Sequence, residues 1–250
     1  MANGPAFDDA VQRAQSAPGL SVGCHVVLTD GSPVLGAQRI PTLTERNGHF
    51  RQSLIRFALS AIRGKIDPEE IEAEATAQIR KLQAAGLIVS HLDTHKHTHI
   101  FPPVLRPLLR AARMCGVRAV RNPFEPAPAS LLAKQPWLWK KYGQVKILGA
   151  LGHGFRKAID EAGLLTPNGT IGIVVTGALD EHLFASSMDS LPEGTWELVC
   201  HPGYNDAELG AVRTRLRESR AIELRLLTSP EAREALTRNG IELISYRDLS

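Results

Sequence analysis

His91-Leu92-Asp93-Thr94-His95-Lys96-His97-Thr98-His99, entered through Gly86-Leu87-Ile88-Val89, is the stretch on which the fold turns. The apolar run Leu87–Val89 behind a glycine reads as a buried strand. Side chains alternate along a strand, so His91, Asp93, His95, His97 and His99 share one face for as long as the strand continues. Imidazole and carboxylate converging at the end of a strand are the raw material of a divalent metal site. A single histidine on a strand is more often structural. Here four of the chain's nine histidines recur at a period of two with an acid among them, which favours the metal reading. The alternative is an exposed His-rich loop that binds metal incidentally, and the apolar lead-in argues against it.

Outward from this strand, apolar runs and helical patterns alternate. The further candidate strands are Leu20–Leu28, Val117–Arg121, Thr170–Thr176, Trp196–His201 and Ile241–Ser245, beside Leu87–Asp93. The amphipathic stretches between them are Phe7–Ala17, Ser53–Ile62, Asp67–Ala85, Val104–Cys115, Glu181–Ser190, Asp206–Ser219 and Pro230–Arg238. Asp67-Pro68-Glu69-Glu70 starts a helix with a capping residue, a proline in the first turn and acids behind it, and Ser229-Pro230-Glu231 repeats the pattern. Arg113-Met114-Cys115-Gly116 and Arg238-Asn239-Gly240 read as helix ends closed by glycine. Such alternation implies α/β architecture with a parallel sheet and right-handed crossovers. Only six strands are convincing, whereas a closed (β/α)8 barrel needs eight.

The 250 residues suit one domain, residues 1–250, and 43% hydrophobic with 22% charged residues is ordinary for a globular chain. A net charge of +3 from 29 basic and 26 acidic residues gives no reason to expect nucleic acid. The arginines at 213, 215, 217 and 220 share a stretch with Glu208, Glu218 and Glu223 and read as a solvated helix face. Cys24, Cys115 and Cys200 lack metal or disulfide spacing and read as buried thiols in a reducing compartment, so the cytoplasm is expected. No apolar run is long enough to span a bilayer. The segment 123–154, rich in proline and carrying Trp137, Trp139 and Lys140-Lys141, reads as a helical insertion. It serves either as a lid or oligomer contact or as a plain surface excursion.

In parallel α/β folds the chemistry collects at the carboxyl ends of the strands. There the sequence places His25 after Gly23-Cys24, Asp93 with His95, Arg121, Thr176-Gly177, and Cys200-His201-Pro202-Gly203-Tyr204. An imidazole within an apolar run such as that of His25 needs a hydrogen-bond partner or a metal. His201, carried into a Pro-Gly turn, is a general acid, a ligand or a loop residue.

These elements together resemble the YdjC-like carbohydrate deacetylases, which include chitooligosaccharide deacetylases and hopanoid-biosynthesis-associated members. The resemblance covers nearly the whole chain. It rests on Asp93-Thr94-His95-Lys96-His97-Thr98-His99, on Gly23-Cys24-His25 with the Leu28–Pro33 turn, on Cys200–Tyr204 and on Ser245-Tyr246-Arg247-Asp248. It implies a TIM-like (β/α) barrel, often dimeric, that hydrolyses N-acetyl groups of amino sugars or oligosaccharides. It also implies a divalent metal, usually magnesium and sometimes zinc, held by His25 and His95, with His201 protonating the leaving amine. Asp93 then stands behind the ligands; His97 and His99 line the sugar pocket; Arg121 binds a sugar oxygen or an acidic substituent, or pairs with an acid in the wall. Family members open with a strand ending Asp-Asp-Phe-Gly, which supplies a further ligand and the general base. This sequence lacks that motif, and Met1-Ala2-Asn3-Gly4 resembles the end of the family's second strand. The expectation is a barrel short of about one βαβ unit, through a late start codon, a fragment or gene decay. The rival readings are another barrel metal hydrolase, such as a phosphoesterase or amidohydrolase, and an inactive metal- or glycan-binding homologue.

Overall fold

The computed structural model describes residues 1–126, 143, 148–212 and 214–250. Most of the segment read as an insertion, with Trp137, Trp139, Lys140 and Lys141, lies outside the described residues, as does Arg213. The chain divides into two compact units. One comprises Met1–Arg121, Leu151–Thr166 and Ile244–Ser250; the other comprises Asn122–Ala150 and Pro167–Leu243.

The first unit is built on a parallel sheet of order β1-β2-β3, with β1 Val22–Val26, β2 Val89–Thr94 and β3 Ala119–Val120. Helices α1 (Phe7–Gln15), α2 (Leu54–Ile62), α3 (Pro68–Ala84) and α4 (Pro102–Met114) fall where the helical patterns predict them. Asp67 caps α3 by accepting the Glu69 N–H at 2.8 Å, with Pro68 in the first turn. Gly116 closes α4 at φ 71°, where the Val117 N–H returns to the Ala112 carbonyl at 2.9 Å. Only a residue at ease in the left-handed region makes that turn without strain.

The inner face of α3 carries Glu70, Glu74 and Gln78, all buried, where an amphipathic pattern would place apolar side chains. Each satisfies backbone that the sheet leaves unpaired. Gln78 both accepts the Val27 N–H at 2.9 Å and donates to the Val27 carbonyl at 2.8 Å. Glu74 accepts the N–H groups of Val34 and Leu35 at 2.8 and 2.9 Å, and Glu70 those of Thr42 and Leu43 at 2.8 and 3.2 Å. These bonds hold the long loop after β1 against α3, and with it Asp30.

The second unit holds a parallel pair, β4 Gly169–Ile171 and β5 Trp196–Leu198. Ile171, Val174, Val175, Leu183, Phe184 and Leu226 lead its core. Its helices are α6 (Glu181–Asp189), α7 (Ala207–Ala211), α8 (Glu218–Leu227) and α9 (Pro230–Arg238), while α5 (Gly152–Glu161) belongs to the first unit.

Five expectations change. No sheet closes among the described residues, so the α/β class stands while a closed TIM-like barrel is not observed. The strand read at Thr170–Thr176 stops at Ile171. At Gly172 φ is 101°, and a Cβ there would lie 2.3 Å from the Val199 carbonyl, so the chain turns away. The strand read at Ile241–Ser245 does not form, because Ser245 and Asp248 close a hydrogen-bonded turn instead. The stretch Asp206–Ser219 is no single helix: it breaks after Ala211, and a second helix, α8, runs beyond it to Leu227. Cys24 and Cys115 are buried as expected, but Cys200 is only half-buried.

Candidate functional site

Register decides the site in the first unit. β1 and β2 run parallel with His25 directly opposite Asp93, and β3 delivers Arg121 beside them. His25 Nδ1 lies 2.7 Å from Asp93 Oδ2, and the Arg121 guanidinium donates to the same oxygen. Asp93 is 4% exposed. Burial alone would push its carboxyl up; the charge and hydrogen bond of His25, with Arg121 and His99, overcome that and hold it well below the usual carboxylate range. An ionised carboxylate only accepts hydrogen bonds, so the His25 nitrogen facing it, Nδ1, carries a proton, and the neutral tautomer compatible with this contact has its lone pair on Nε2. That tautomer is the one a metal ligand or a proton acceptor requires.

His95 follows directly. Its ring meets that of His25 edge-on with centroids 5.6 Å apart, and its Nε2 lies 3.5 Å from Asp30 Oδ2. Burial first, and then the neighbouring His25, push the His95 imidazole below its ordinary pKa, with Asp30 opposing. A neutral imidazole is thereby favoured, again the ligating form. Asp30 also pairs with Lys96. Among the described residues, the non-glycine residues at positive φ are Asp30 (61°), Lys96 (55°) and His97 (53°), all three at this site. Left-handed backbone costs a Lys or His about 1 kcal/mol, and such strain gathers where function over-determines the backbone.

The expected alternation of histidines along one strand face therefore fails after Thr94. The Thr94 hydroxyl accepts the His99 N–H at 3.0 Å and bonds His99 Nδ1 at 2.6 Å, folding His95–Ile100 into a tight 3-10 segment kinked at Lys96 and His97. His91 and Asp93 keep the strand parity. His99 is fully buried, with Nε2 donating to the Arg121 carbonyl at 3.2 Å, and burial pushes its pKa down to about 3. It braces the Arg121 backbone. His97 is half-buried, its ring 6.2 Å from that of His99. Arg121 pairs with Asp93.

His91 lies flat on Tyr246, with centroids 3.7 Å apart and 12° between the planes, and covers Gly23 so closely that a Cβ there would sit 2.3 Å from its ring. Arg247 donates to the carbonyls of Pro18 and Leu20 at 3.1 and 2.9 Å. The Ser245–Asp248 motif is thus a latch across the start of β1. Its aromatic and guanidinium could have been singled out in the sequence; their partners could not.

In the second unit, His201 leaves the end of β5 in its Pro-Gly turn, half-buried. Its backbone N–H is bound by the carboxylate of Glu223. Glu125 also lies here, its carboxylate accepting the N–H groups of Gly172 and Val174 at 3.0 and 2.7 Å. The sequence places Glu223 on a solvated helix face, which its burial at 1% exposure corrects, whereas Glu125 carries no spacing signal.

A family model described as YdjC-like protein matches residues 1–238. The carbohydrate deacetylase 1 of Listeria innocua serovar 6a is 32% identical over 250 residues, covering 100% of this chain and 86% of that protein. The carbohydrate deacetylase of Brevibacillus brevis is 30% identical with the same coverage. A solved structure from Enterococcus faecalis V583, described as a candidate cellobiose-phosphate cleavage protein, superposes with a TM-score of 0.74 at 25% identity, covering 99% of this chain and 85% of that one. Among the described residues no helix is long and apolar enough to cross a membrane.

Proposed function

Because the chain belongs to the YdjC-like family, we propose that it is a metal-dependent hydrolase removing N-acetyl groups from amino sugars or oligosaccharides. The observation that carries this reading is the buried relay Arg121–Asp93–His25, which fixes the His25 tautomer 5.6 Å from the His95 ring at the carboxyl end of parallel strands. The relatives named carbohydrate deacetylase support the substrate class.

Two imidazoles fit as part of a divalent cation's ligand set. Among the described residues no three His, Cys, Asp or Glu side chains are gathered to hold one. Magnesium is the ion the family resemblance favours, and zinc is the one that imidazole donors suit. When bound, the cation polarises the acetyl carbonyl and acidifies water. His25 and His95 hold it. Asp93 keeps the His25 lone pair on Nε2, and Arg121 keeps Asp93 ionised. The family resemblance gives His201, which lies in the second unit, the role of protonating the leaving amine, because the nitrogen leaves poorly unprotonated. The reading places the enzyme in the cytoplasm, in keeping with three cysteines that form no disulfide.

The test is acetate release from a panel of N-acetylated amino sugars and oligosaccharides with magnesium or zinc added. Metal-stimulated release that His95→Ala abolishes is expected. Release of phosphate or ammonia instead would reassign the chain to another class of hydrolase. Glycan binding without turnover would mark a binding protein.

A further inference from the structure

Helix α8 buries two residues among those described, Leu226 and Glu223. Leu226 joins the apolar core of the second unit, as an inward position should. Glu223 sits one helical turn before it on the same face and is 1% exposed. A carboxylate placed there loses its hydration, a penalty tolerated only when a specific partner replaces the water. Its hydrogen bond among the described residues is to the backbone N–H of His201. The same turn of α8 supplies a second anchor, the Arg220 carbonyl, which accepts the Gly203 N–H at 3.2 Å. Two residues before His201, the Val199 N–H is held by the Ile171 carbonyl at 2.8 Å. The backbone from which the His201 imidazole projects is therefore pinned on both sides, by β4 before it and by α8 at it and after it.

We propose that Glu223 is the positioning residue of His201: its buried carboxylate fixes the His-Pro-Gly turn so that the imidazole presents from one backbone geometry. The proposal rests on the deacetylase reading only for what His201 does, and not for how it is held. A leucine at 223 would serve the core better, so the acid's presence is explained by the bond it makes rather than by packing.

The experiment begins with the wild-type full chain. Amide hydrogen exchange followed by NMR should show the His201 N–H exchanging at least about a hundredfold more slowly than that of exposed Tyr204 in the same turn. Rates within about tenfold of each other would overturn the proposal. Steady-state acetate release then compares two variants, each normalised to folded enzyme. Glu223→Gln keeps a carbonyl acceptor and should retain kcat within about threefold. Glu223→Leu removes the acceptor while keeping the bulk, and should lower kcat at least about tenfold with KM within about twofold. A Glu223→Leu enzyme with wild-type kcat, or one whose loss lies in KM, would sink the idea. A purely structural role would lower the yield of folded protein in both variants and leave kcat per folded molecule unchanged. Should Glu223→Leu not fold, the exchange rate of the His201 amide in Glu223→Gln decides: protection retained there supports the anchor, and protection absent already in wild type refutes it. Should wild type release no acetate, the deacetylase reading fails, while the exchange measurement still decides what holds His201.

Discussion

Replacing Asp93 with asparagine alters one charge in the first unit and almost no volume, so the consequences can be worked out. Asp93 and Arg121 have side chains 6% and 14% exposed. Asparagine can still accept from His25 or from Arg121, but it removes the negative charge that the buried guanidinium faces at this oxygen. Breaking a buried pair in this way costs about 3–5 kcal/mol. For a chain of this size that corresponds to a fall of about 6–20 °C in the melting temperature of the first unit. Asp93 also orients His25, and losing such a partner behind a ligand weakens metal affinity by about 10–100-fold. Thermal unfolding and zinc titration calorimetry measure the two effects. The double substitution Asp93→Asn with Arg121→Met separates them: removing both charges should restore most of the stability but not the affinity, because His25 still lacks its carboxylate. The exposed pair Asp9–Arg13 serves as the control, since Asp9→Asn should change neither property. Wild-type stability and affinity in Asp93→Asn would refute the relay, and recovery of both in the double variant would refute its role in orienting His25.

Three other predictions concern the supports of the site. Burial holds His99 neutral down to about pH 3 in the folded state, whereas the unfolded chain takes up that proton near its ordinary pKa. The unfolded state thus binds more protons between about pH 6.5 and 3, and the first unit should lose a few kcal/mol on acidification through that window. Urea titrations at several pH values should show a shallower slope in His99→Gln. Glu74→Ala strands the N–H groups of Val34 and Leu35 and should destabilise the first unit by about 2–5 kcal/mol; hydrogen exchange at those two amides should accelerate. Gly172→Ala drives a Cβ to 2.3 Å from the Val199 carbonyl at φ 101°, and its cost of at least about 2 kcal/mol should fall on the second unit alone in site-resolved exchange.

Local signals made much of this molecule legible before any coordinates. The helix starts at Pro68 and Pro230, the stops at Gly116 and Gly240 and the α/β rhythm all follow from caps, backbone freedom and hydrophobic period, which act within a few residues. His25, Asp93, His95 and Arg121 were recognisable as polar residues ending apolar strands. What each does was not. His99 looked like one more ligand-type histidine until Thr94 folded it into the core. Ile241–Ser245 has the composition of a strand, yet a hydrogen bond between Ser245 and Asp248 turns it aside.

The sequence by itself determined the elements, their order and the residue types at the strand ends, because propensity, capping and period are written in neighbouring residues. Tertiary structure alone decided that His25 stands opposite Asp93, 68 positions away, and that Asp93 is shared with Arg121, 28 positions on. It likewise decided that the strand stops at Thr94, and that Glu74 and Glu223 are buried to hold backbone 40 and 22 positions distant. The reason is physical. A buried carboxylate is tolerated only where a distant donor meets it, and strand register and helix docking set that meeting while leaving no periodic trace in the chain.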